Sequence, residues 1–192
     1  MTERREHFER ITKELVELKN TSEMMMDLSY SALFLNSKYL AEEVLLLEDH
    51  IDRLDMDFEI NVISAMRENE DARGLLGLIR MGTIAERIAD AASEIAEVVL
   101  RGEETHPVLK MVIEEAEETV ERATVSDSSP ITGKTLRNAR IAEETGMWVL
   151  VIRRGERWIR PKLDVILEAG DVVIASGYAE GEEDFKRLLE GN

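Results

Sequence analysis

The chain has 192 residues, of which 44% are hydrophobic and 34% charged, so its composition is that of one or two folded domains and not of a disordered protein. It contains no cysteine, which excludes disulfide bonds and thiolate metal sites. The net charge of −17 argues against nucleic acid as a partner.

The hydrophobic runs indicate where the protein is expected to act. Residues 1–6 are not followed by an apolar stretch, so no signal peptide is predicted. No run approaches the roughly 20 apolar residues that a membrane span needs. We therefore expect a cytoplasmic protein with no direct membrane insertion.

Apolar residues recur at helical spacing through the first half of the chain. They predict three long helices over residues 8–35, 38–67 and 71–100, with Asn36 and Ser37 forming a turn and an N-cap between the first two. Short polar joints between long helices favour an antiparallel bundle. The residues of the third helix expected to face its core are Ile84, Ile88, Ala91, Ile95 and Val99.

A fourth helix is predicted from Pro107 to about Arg122, because proline suits a first helical turn. It is expected to lead directly into a strand at residues 123–125. The sequence therefore predicts two domains, a helical bundle over residues 1–122 and a second domain over residues 123–192.

The second domain shows a mixed pattern of short helices and strands. Thr135 or Thr132 can cap a short helix through Arg140, which Gly146 ends. The expected strands are 147–152, which is apolar and rich in β-branched residues, its hairpin partner 157–160, and 172–176; a last helix covers 182–189. These elements predict a small α+β domain, so the whole chain is of the α+β multidomain class.

Charge is distributed unevenly between the two predicted domains. Residues 1–123 have a net charge of −15, whereas residues 124–192 have a net charge of only −2. Eight bases and three acids lie between Lys134 and Lys162. This pattern indicates cation binding in the first part and anion binding in the second, although acidic helices can also serve only solubility.

The second domain resembles the TrkA-C domain of proteins that regulate potassium channels and transporters. The residues that carry the resemblance are Pro130, residues 133–136, Arg140, Gly146, residues 149–153, Pro161 and residues 170–174. The resemblance implies a ligand-sensing module that forms a homodimer and has no catalytic residues. The nucleotide-binding half that usually precedes it is not recognisable, since the sequence has no Gly-x-Gly-x-x-Gly.

The helical bundle resembles a PhoU domain over residues 8–101. The resemblance rests on residues 85–90, on residues 95–97, and on the Glu48-x-x-x-Asp52 pair in the preceding helix. PhoU proteins usually carry two three-helix repeats, whereas this chain has one.

The PhoU resemblance implies metal binding at Glu-x-x-x-Asp pairs, which here are Glu48/Asp52 and Glu86/Asp90. Residues four apart on a helix share a face, so that two carboxylates can converge on one cation. Oxygen ligands favour divalent cations such as magnesium, calcium or manganese. The alternative is a solvated acidic surface.

The TrkA-C resemblance also implies a ligand, because some TrkA-C domains bind cyclic di-adenosine monophosphate between two subunits. The expected ligand-binding residues are Arg137, Arg140, Ile141, Met147 and Val149. Guanidinium groups suit phosphate through paired hydrogen bonds. The alternative is that the arginines pair with the acidic bundle.

No catalytic site is predicted. Gly133-Lys134-Thr135 imitates the end of a P-loop, but Ser128 stands where the full pattern needs glycine, and the three histidines form no ligand pattern. The sequence thus predicts a non-enzymatic cytoplasmic regulatory subunit of an ion channel or transporter, most simply for potassium. The alternative is a PhoU-type adaptor in phosphate or divalent-cation transport signalling.

Overall fold

The computed structural model describes residues 2–66, 72–102, 111 and 118–191. The chain separates into two compact units, one made of Met1–Leu33 with Ser37–Arg101 and the other of Phe34–Asn36 with Gly102–Asn192. No helix in the described residues is long and apolar enough to cross a membrane.

Three long helices form the first unit and are α1 (Thr2–Phe34), α2 (Lys38–Met66) and α3 (Ala72–Leu100). The predicted turn between the first two is confirmed, since Asn36 has a left-handed φ of 46°. The Ser37 hydroxyl accepts a hydrogen bond from the Leu40 amide at 3.4 Å and so caps α2.

Side-chain hydrogen bonds show that α1 and α2 run antiparallel. The Asn61 amide donates to the Glu14 carboxylate at 2.8 Å, and His50 Nε2 lies 3.1 Å from Glu17 Oε1. The start of α1 therefore lies beside the end of α2. These bonds lie at the polar edge of the helix pair. The buried side chains of the pair include Leu18 and Met25 of α1 and Phe58 of α2.

The buried face of α3 differs from the predicted one. Ile84 and Ala91 are exposed, Ile88 lies at the border of exposure, and Ile95 is half-buried, so that Val99 alone of the predicted set is buried. The buried residues of α3 are mostly small and include Gly82, Ala85, Ala89, Ala92 and Ala96. A Cβ on Gly82 would lie 2.7 Å from the Phe58 ring of α2, so the small face lets the two helices approach closely.

The second unit is a four-stranded antiparallel sheet packed against short helices. Its strands are β1 (Glu118–Thr124), β2 (Met147–Arg154), β3 (Arg157–Ile159) and β4 (Val172–Tyr178), in the order β1-β4-β2-β3. Its helices are α4 (Leu136–Ala139), α5 (Ile141–Thr145) and α6 (Glu182–Glu190), with a 3-10 turn at Ala179–Gly181 before α6. The predicted hairpin, third strand and last helix are confirmed.

The predicted end of the fourth helix is wrong, because residues 118–122 belong to β1. Helix-favouring glutamates precede this stretch, but pairing of the whole of β1 with β4 overrides that local preference. The rest of that predicted helix lies outside the described residues, apart from Met111. The predicted domain boundary at 122/123 falls inside β1, and we propose that the second domain begins by Glu118.

The core of the second unit lies between one face of the sheet and the helices. Ile152, Val173 and Ala175 from the strands meet Phe185 and Leu189 from α6, and all five are fully or almost fully buried. This compact core fixes α4 and α5 beside the first residues of β2, where the candidate ligand site lies.

Candidate functional site

The helix predicted to run through Arg140 is broken at that residue. The Thr135 side chain caps α4 by accepting from the Asn138 amide at 3.3 Å, as predicted. Arg140 then takes a left-handed φ of 49°, so that α5 begins in a new direction and ends at Gly146 with φ 71°. Residues of both short helices line one surface groove beside this break.

A groove of about 600 Å³ lies beside this break. Its lining residues are Leu136, Arg137, Ile141, Ala142, Glu143, Trp148, Val149, Pro161 and Leu163. Most of them are apolar, and the Trp148 side chain is 54% exposed at the start of β2. The groove therefore offers an apolar wall and an exposed aromatic ring, which together suit a flat heterocyclic group.

Arg137 is the cationic residue of the groove. Its backbone amide donates to the Leu163 carbonyl at 3.0 Å, which ties α4 to the loop after β3. Within the described residues its guanidinium has no ion pair or hydrogen bond. Glu143 places one carboxylate in the same lining, so an anionic ligand would have to lie on the Arg137 side of the groove.

The structure brings together three of the five residues predicted to bind the ligand, since Arg137, Ile141 and Val149 line the groove. Arg140 is exposed but does not line the groove. Met147 must be corrected: it is fully buried in the core and cannot contact a ligand in this conformation.

Trp148, Leu136 and Leu163 were not predicted as ligand residues, although they line the groove. Trp148 lies in the predicted strand 147–152, directly after Met147, which is buried. The alternation of side chains along a strand places Trp148 on the face opposite to Met147, where it is exposed.

Two other bases of the predicted cluster are paired within the unit. The Arg154 guanidinium donates to both carboxylate oxygens of Asp171 at 2.7 Å and to the Ile166 carbonyl at 2.7 Å. Arg153 pairs with Glu156 at 3.3 Å. Arg154 is therefore a structural residue of the domain, and the phosphate-binding hypothesis rests mainly on Arg137.

The predicted acidic residues of α2 and α3 face one another across the helix pair. Burial raises the pKa of Glu86, and the carboxylates of Asp90, Asp55 and Asp52 raise it further. Burial likewise raises the pKa of Asp55, and the nearby carboxylate of Asp52 raises it further. The carboxylates of α2 and those of α3 therefore repel one another where the two helices pack together.

The pKa of Glu48, on α2, is raised in the same way. Burial raises the pKa of Glu48, the nearby Ser93 hydroxyl acts in the opposite direction, and Asp52 and Asp90 raise it again. Even so, in the parts of the chain that the structure describes no three His, Asp or Glu side chains are arranged to hold a metal ion. Metal binding at Glu48/Asp52 and Glu86/Asp90 stays a prediction.

Removing two of these charges should stabilise the metal-free bundle. Asp52→Asn with Asp90→Asn removes the carboxylates that raise the pKa of both Glu48 and Glu86, and each relieved like-charge pair is worth about 0.2–0.5 kcal/mol. We expect a higher melting temperature, followed by circular dichroism at 222 nm, which reports mainly the long helices.

The same repulsion should make the stability of the wild-type bundle depend on pH. Because the pKa values of Glu48 and Glu86 are raised in the folded state, repulsion acts fully above the raised values and is lost as the pH falls towards 4.5. The melting temperature should therefore rise on mild acidification, and less so in the double variant. Asp57→Asn with Glu42→Gln, two exposed acids elsewhere on α2, is the matched control. An equal effect from that control would assign the change to net charge alone.

Family models match both parts of the chain. The PhoU domain model matches residues 15–99, and the TrkA-C domain model matches residues 120–190. These two matches correspond to the helical bundle and to the sheet unit, respectively.

Potassium channel protein 1 of Methanocaldococcus jannaschii is 29% identical over 99 residues, which are 51% of this chain and 29% of that protein. The chain therefore spans less than a third of the length of this relative. Among solved structures, the RCK C domain of the potassium transport protein KtrA in complex with cyclic di-adenosine monophosphate is 22% identical with a TM-score of 0.35, covering 42% of this chain and 93% of that one. The GsuK channel bound to NAD is 17% identical with a TM-score of 0.36, covering 60% of this chain and 21% of that one.

The family matches agree with the architecture built from the residues, three long helices followed by a four-stranded sheet with short helices. Residues 15–99 of this chain are a PhoU domain and residues 120–190 are a TrkA-C domain.

Proposed function

We propose that the chain is a cytoplasmic regulatory subunit of a potassium channel or transporter, in which a ligand bound by the TrkA-C domain alters the activity of the membrane partner. The observation that carries the proposal is the TrkA-C domain itself, with an open groove on its α4–α5 surface. The similarity to a potassium channel protein supports the same class of partner.

A cyclic dinucleotide is the ligand that we propose for the groove. Such a molecule carries two bases and two phosphates around a two-fold axis, so it is matched by a groove presented twice in a homodimer. Trp148 can stack on a base, and Arg137 can pair with a phosphate. The groove volume of about 600 Å³ is within the usual range for small-molecule sites.

Calorimetry with cyclic di-adenosine monophosphate tests the ligand. Arg137→Ala should weaken binding at least about tenfold, or 1.4 kcal/mol, because the phosphate loses its cation. Trp148→Ala should cause a comparable loss through stacking. Arg140→Ala should have the smaller effect, since that side chain does not line the groove.

Arg157→Ala is the matched control, because Arg157 is an exposed arginine at the hairpin and outside the groove. It should leave affinity unchanged, whereas raised salt should weaken binding in the wild type. Absence of binding to cyclic di-adenosine monophosphate, adenine nucleotides and phosphate at millimolar concentration would reject a nucleotide ligand at this groove.

Regulation is tested separately from ligand binding. Rubidium flux is measured in vesicles that contain a potassium transporter of the same organism, with and without the full chain and the cyclic dinucleotide. The flux should respond to the ligand with the wild-type chain and not with the Arg137→Ala chain. If the flux is the same with and without the chain, whether or not the cyclic dinucleotide is present, the regulatory role is contradicted.

A PhoU-type adaptor in phosphate or divalent-cation transport signalling is the second candidate. The PhoU domain and the facing carboxylates of α2 and α3 favour it. In that case magnesium or manganese should raise the melting temperature of the bundle by binding the folded state. The rise should vanish in Asp52→Asn with Asp90→Asn, whereas a rise unchanged in that variant would indicate general screening.

A further inference from the structure

Helix α3 has a second apolar face besides the alanine face that packs on α2. Its residues are Gly77, Met81, Ile84, Ile88, Ala91, Ile95 and Val98, and we name them the α3 seam. Met81, Ile84 and Val98 are each about half exposed, at 52%, 50% and 48%. Large apolar side chains in a continuous row on a helix surface mark a surface that another element covers.

The spacing of the α3 seam indicates what covers it. Its members alternate at intervals of four and three from residue 77 to residue 98, which is a heptad repeat with two apolar positions per seven residues. A single straight stripe of this kind is matched by a second helix of similar length packed knobs-into-holes. Over 22 residues the seam is about 33 Å long.

We infer that the α3 seam pairs with the α3 seam of a second copy of this chain, in antiparallel orientation. The flanking charges support this choice. Arg87 and Glu94 are both exposed beside the seam, and neither has an ion pair within the described residues. On the opposite flank stand Ala85 and Ala92, which are buried or nearly buried in the subunit's own core.

These flanks distinguish the two orientations. In a parallel pair each charged flank would face the partner's alanine flank, and the charges would find no partner. In an antiparallel pair the two charged flanks meet, so that Arg87 lies beside Glu94 of the partner subunit, and the reverse. The same register places Ile84 beside Ile95 of the partner subunit.

The partner helix that this spacing requires is about as long as the seam, roughly 33 Å. A second copy of α3, which spans Ala72–Leu100, has that length.

Cysteine cross-linking of the full chain tests the orientation, because the natural sequence has no cysteine. Ile84→Cys and Ile95→Cys chains are co-expressed with different tags and oxidised. A disulfide should join Ile84→Cys to Ile95→Cys, whereas neither variant alone should cross-link to itself, because two copies of residue 84 would be about 16 Å apart along the axis.

Thr83→Cys co-expressed with Glu97→Cys is the matched control, since both positions are exposed on α3 but off the seam. It should not cross-link. Adding Ile88→Lys, an exposed position in the seam, should reduce the Ile84–Ile95 product about tenfold while the circular dichroism spectrum is unchanged. Self-cross-linking of each single variant, or equal products at seam and control, would overturn the antiparallel pairing.

Discussion

Asp171→Ala is expected to unfold the TrkA-C domain under conditions in which the PhoU domain stays folded. Asp171 has no exposed surface, and both of its carboxylate oxygens accept from the Arg154 guanidinium at 2.7 Å. One of those oxygens also accepts from the Glu168 amide at 2.9 Å. Removing the carboxylate would leave these donors without this partner. Because the Arg154 side chain is 25% exposed, we expect a cost at or below the lower end of the about 3–5 kcal/mol that breaking a fully buried pair costs.

The loss is large because Asp171 joins three parts of the fold. Its backbone carbonyl accepts from the Val125 amide at 2.8 Å, which ties the chain after β1 to the start of β4. Through Arg154 its side chain holds the end of β2 and the Ile166 carbonyl. Small domains are stable by only about 5–15 kcal/mol, so this single change removes much of the total.

Tryptophan fluorescence during urea unfolding measures this effect without interference. Both tryptophans of the chain, Trp148 and Trp158, lie in the second unit, whereas the long helices dominate circular dichroism at 222 nm. Asp171→Ala should lower the urea midpoint by fluorescence and leave the helical transition near its wild-type position.

Two further variants separate geometry from charge. Arg154→Lys keeps the charge but cannot donate two parallel hydrogen bonds, so it should lose a substantial part of the same stability. Arg157→Ala, an exposed arginine three residues away, should change stability by about 0.5 kcal/mol or less. If Arg154→Lys matched the wild type, the paired geometry would contribute nothing beyond simple charge attraction.

Local signals in the sequence were sufficient for most of the elements. Long apolar periodicity predicted three helices, and Thr135 and Gly146 act as the caps that their residue types favour. The end of the predicted fourth helix failed because β1 depends on pairing with β4, some 50 residues further along the chain. Such long-range pairing leaves little trace in local propensity.

The buried face of α3 could not be chosen from periodicity alone. The helix has two apolar stripes, and hydrophobicity favoured the isoleucine stripe over the alanine stripe. Close packing decided otherwise, because Gly82 and the alanines allow α2 to approach, as the distance of 2.7 Å between a Gly82 Cβ and the Phe58 ring indicates.

The candidate ligand site was only partly predictable. Charge clustering pointed to Arg137, and the TrkA-C resemblance pointed to Val149; both residues line the groove. The cluster also included Arg154. Its partner, Asp171, lies 17 residues further along the chain, so the pairing forms only in the folded domain. Which arginines are free to bind a ligand is therefore set by tertiary hydrogen bonds and not by sequence density.

Gly177→Ala is expected to be the other severe change in the TrkA-C domain. A Cβ at this position of β4 would lie 2.3 Å from the Gly146 carbonyl oxygen and 2.7 Å from the Met147 sulfur. The carbonyl belongs to the backbone between α5 and β2 and cannot rotate aside as a side chain can. Forced overpacking of a core usually costs about 1–3 kcal/mol, and a backbone obstacle places this variant at the upper end.

Gly181 makes a second close approach to the same segment, since a Cβ there would lie 2.1 Å from the Thr145 carbonyl oxygen. Both glycines thus let residues 145–147 cross close to the end of β4, and that crossing places Trp148 at the groove. Gly181→Ala should therefore destabilise the domain in the same way.

Ser176→Ala is the matched control for Gly177→Ala, because Ser176 is the preceding residue of β4 and points to the opposite face of the sheet. It should change stability by about 0.5 kcal/mol or less, whereas Gly177→Ala should lower the fluorescence midpoint in urea far more. The reason is that the first change removes one hydroxyl from a half-buried site and the second inserts a methyl group into filled space. Equal midpoints for the two variants would mean that residues 145–147 can retreat from β4 without loss, and the close crossing would then not be what positions Trp148.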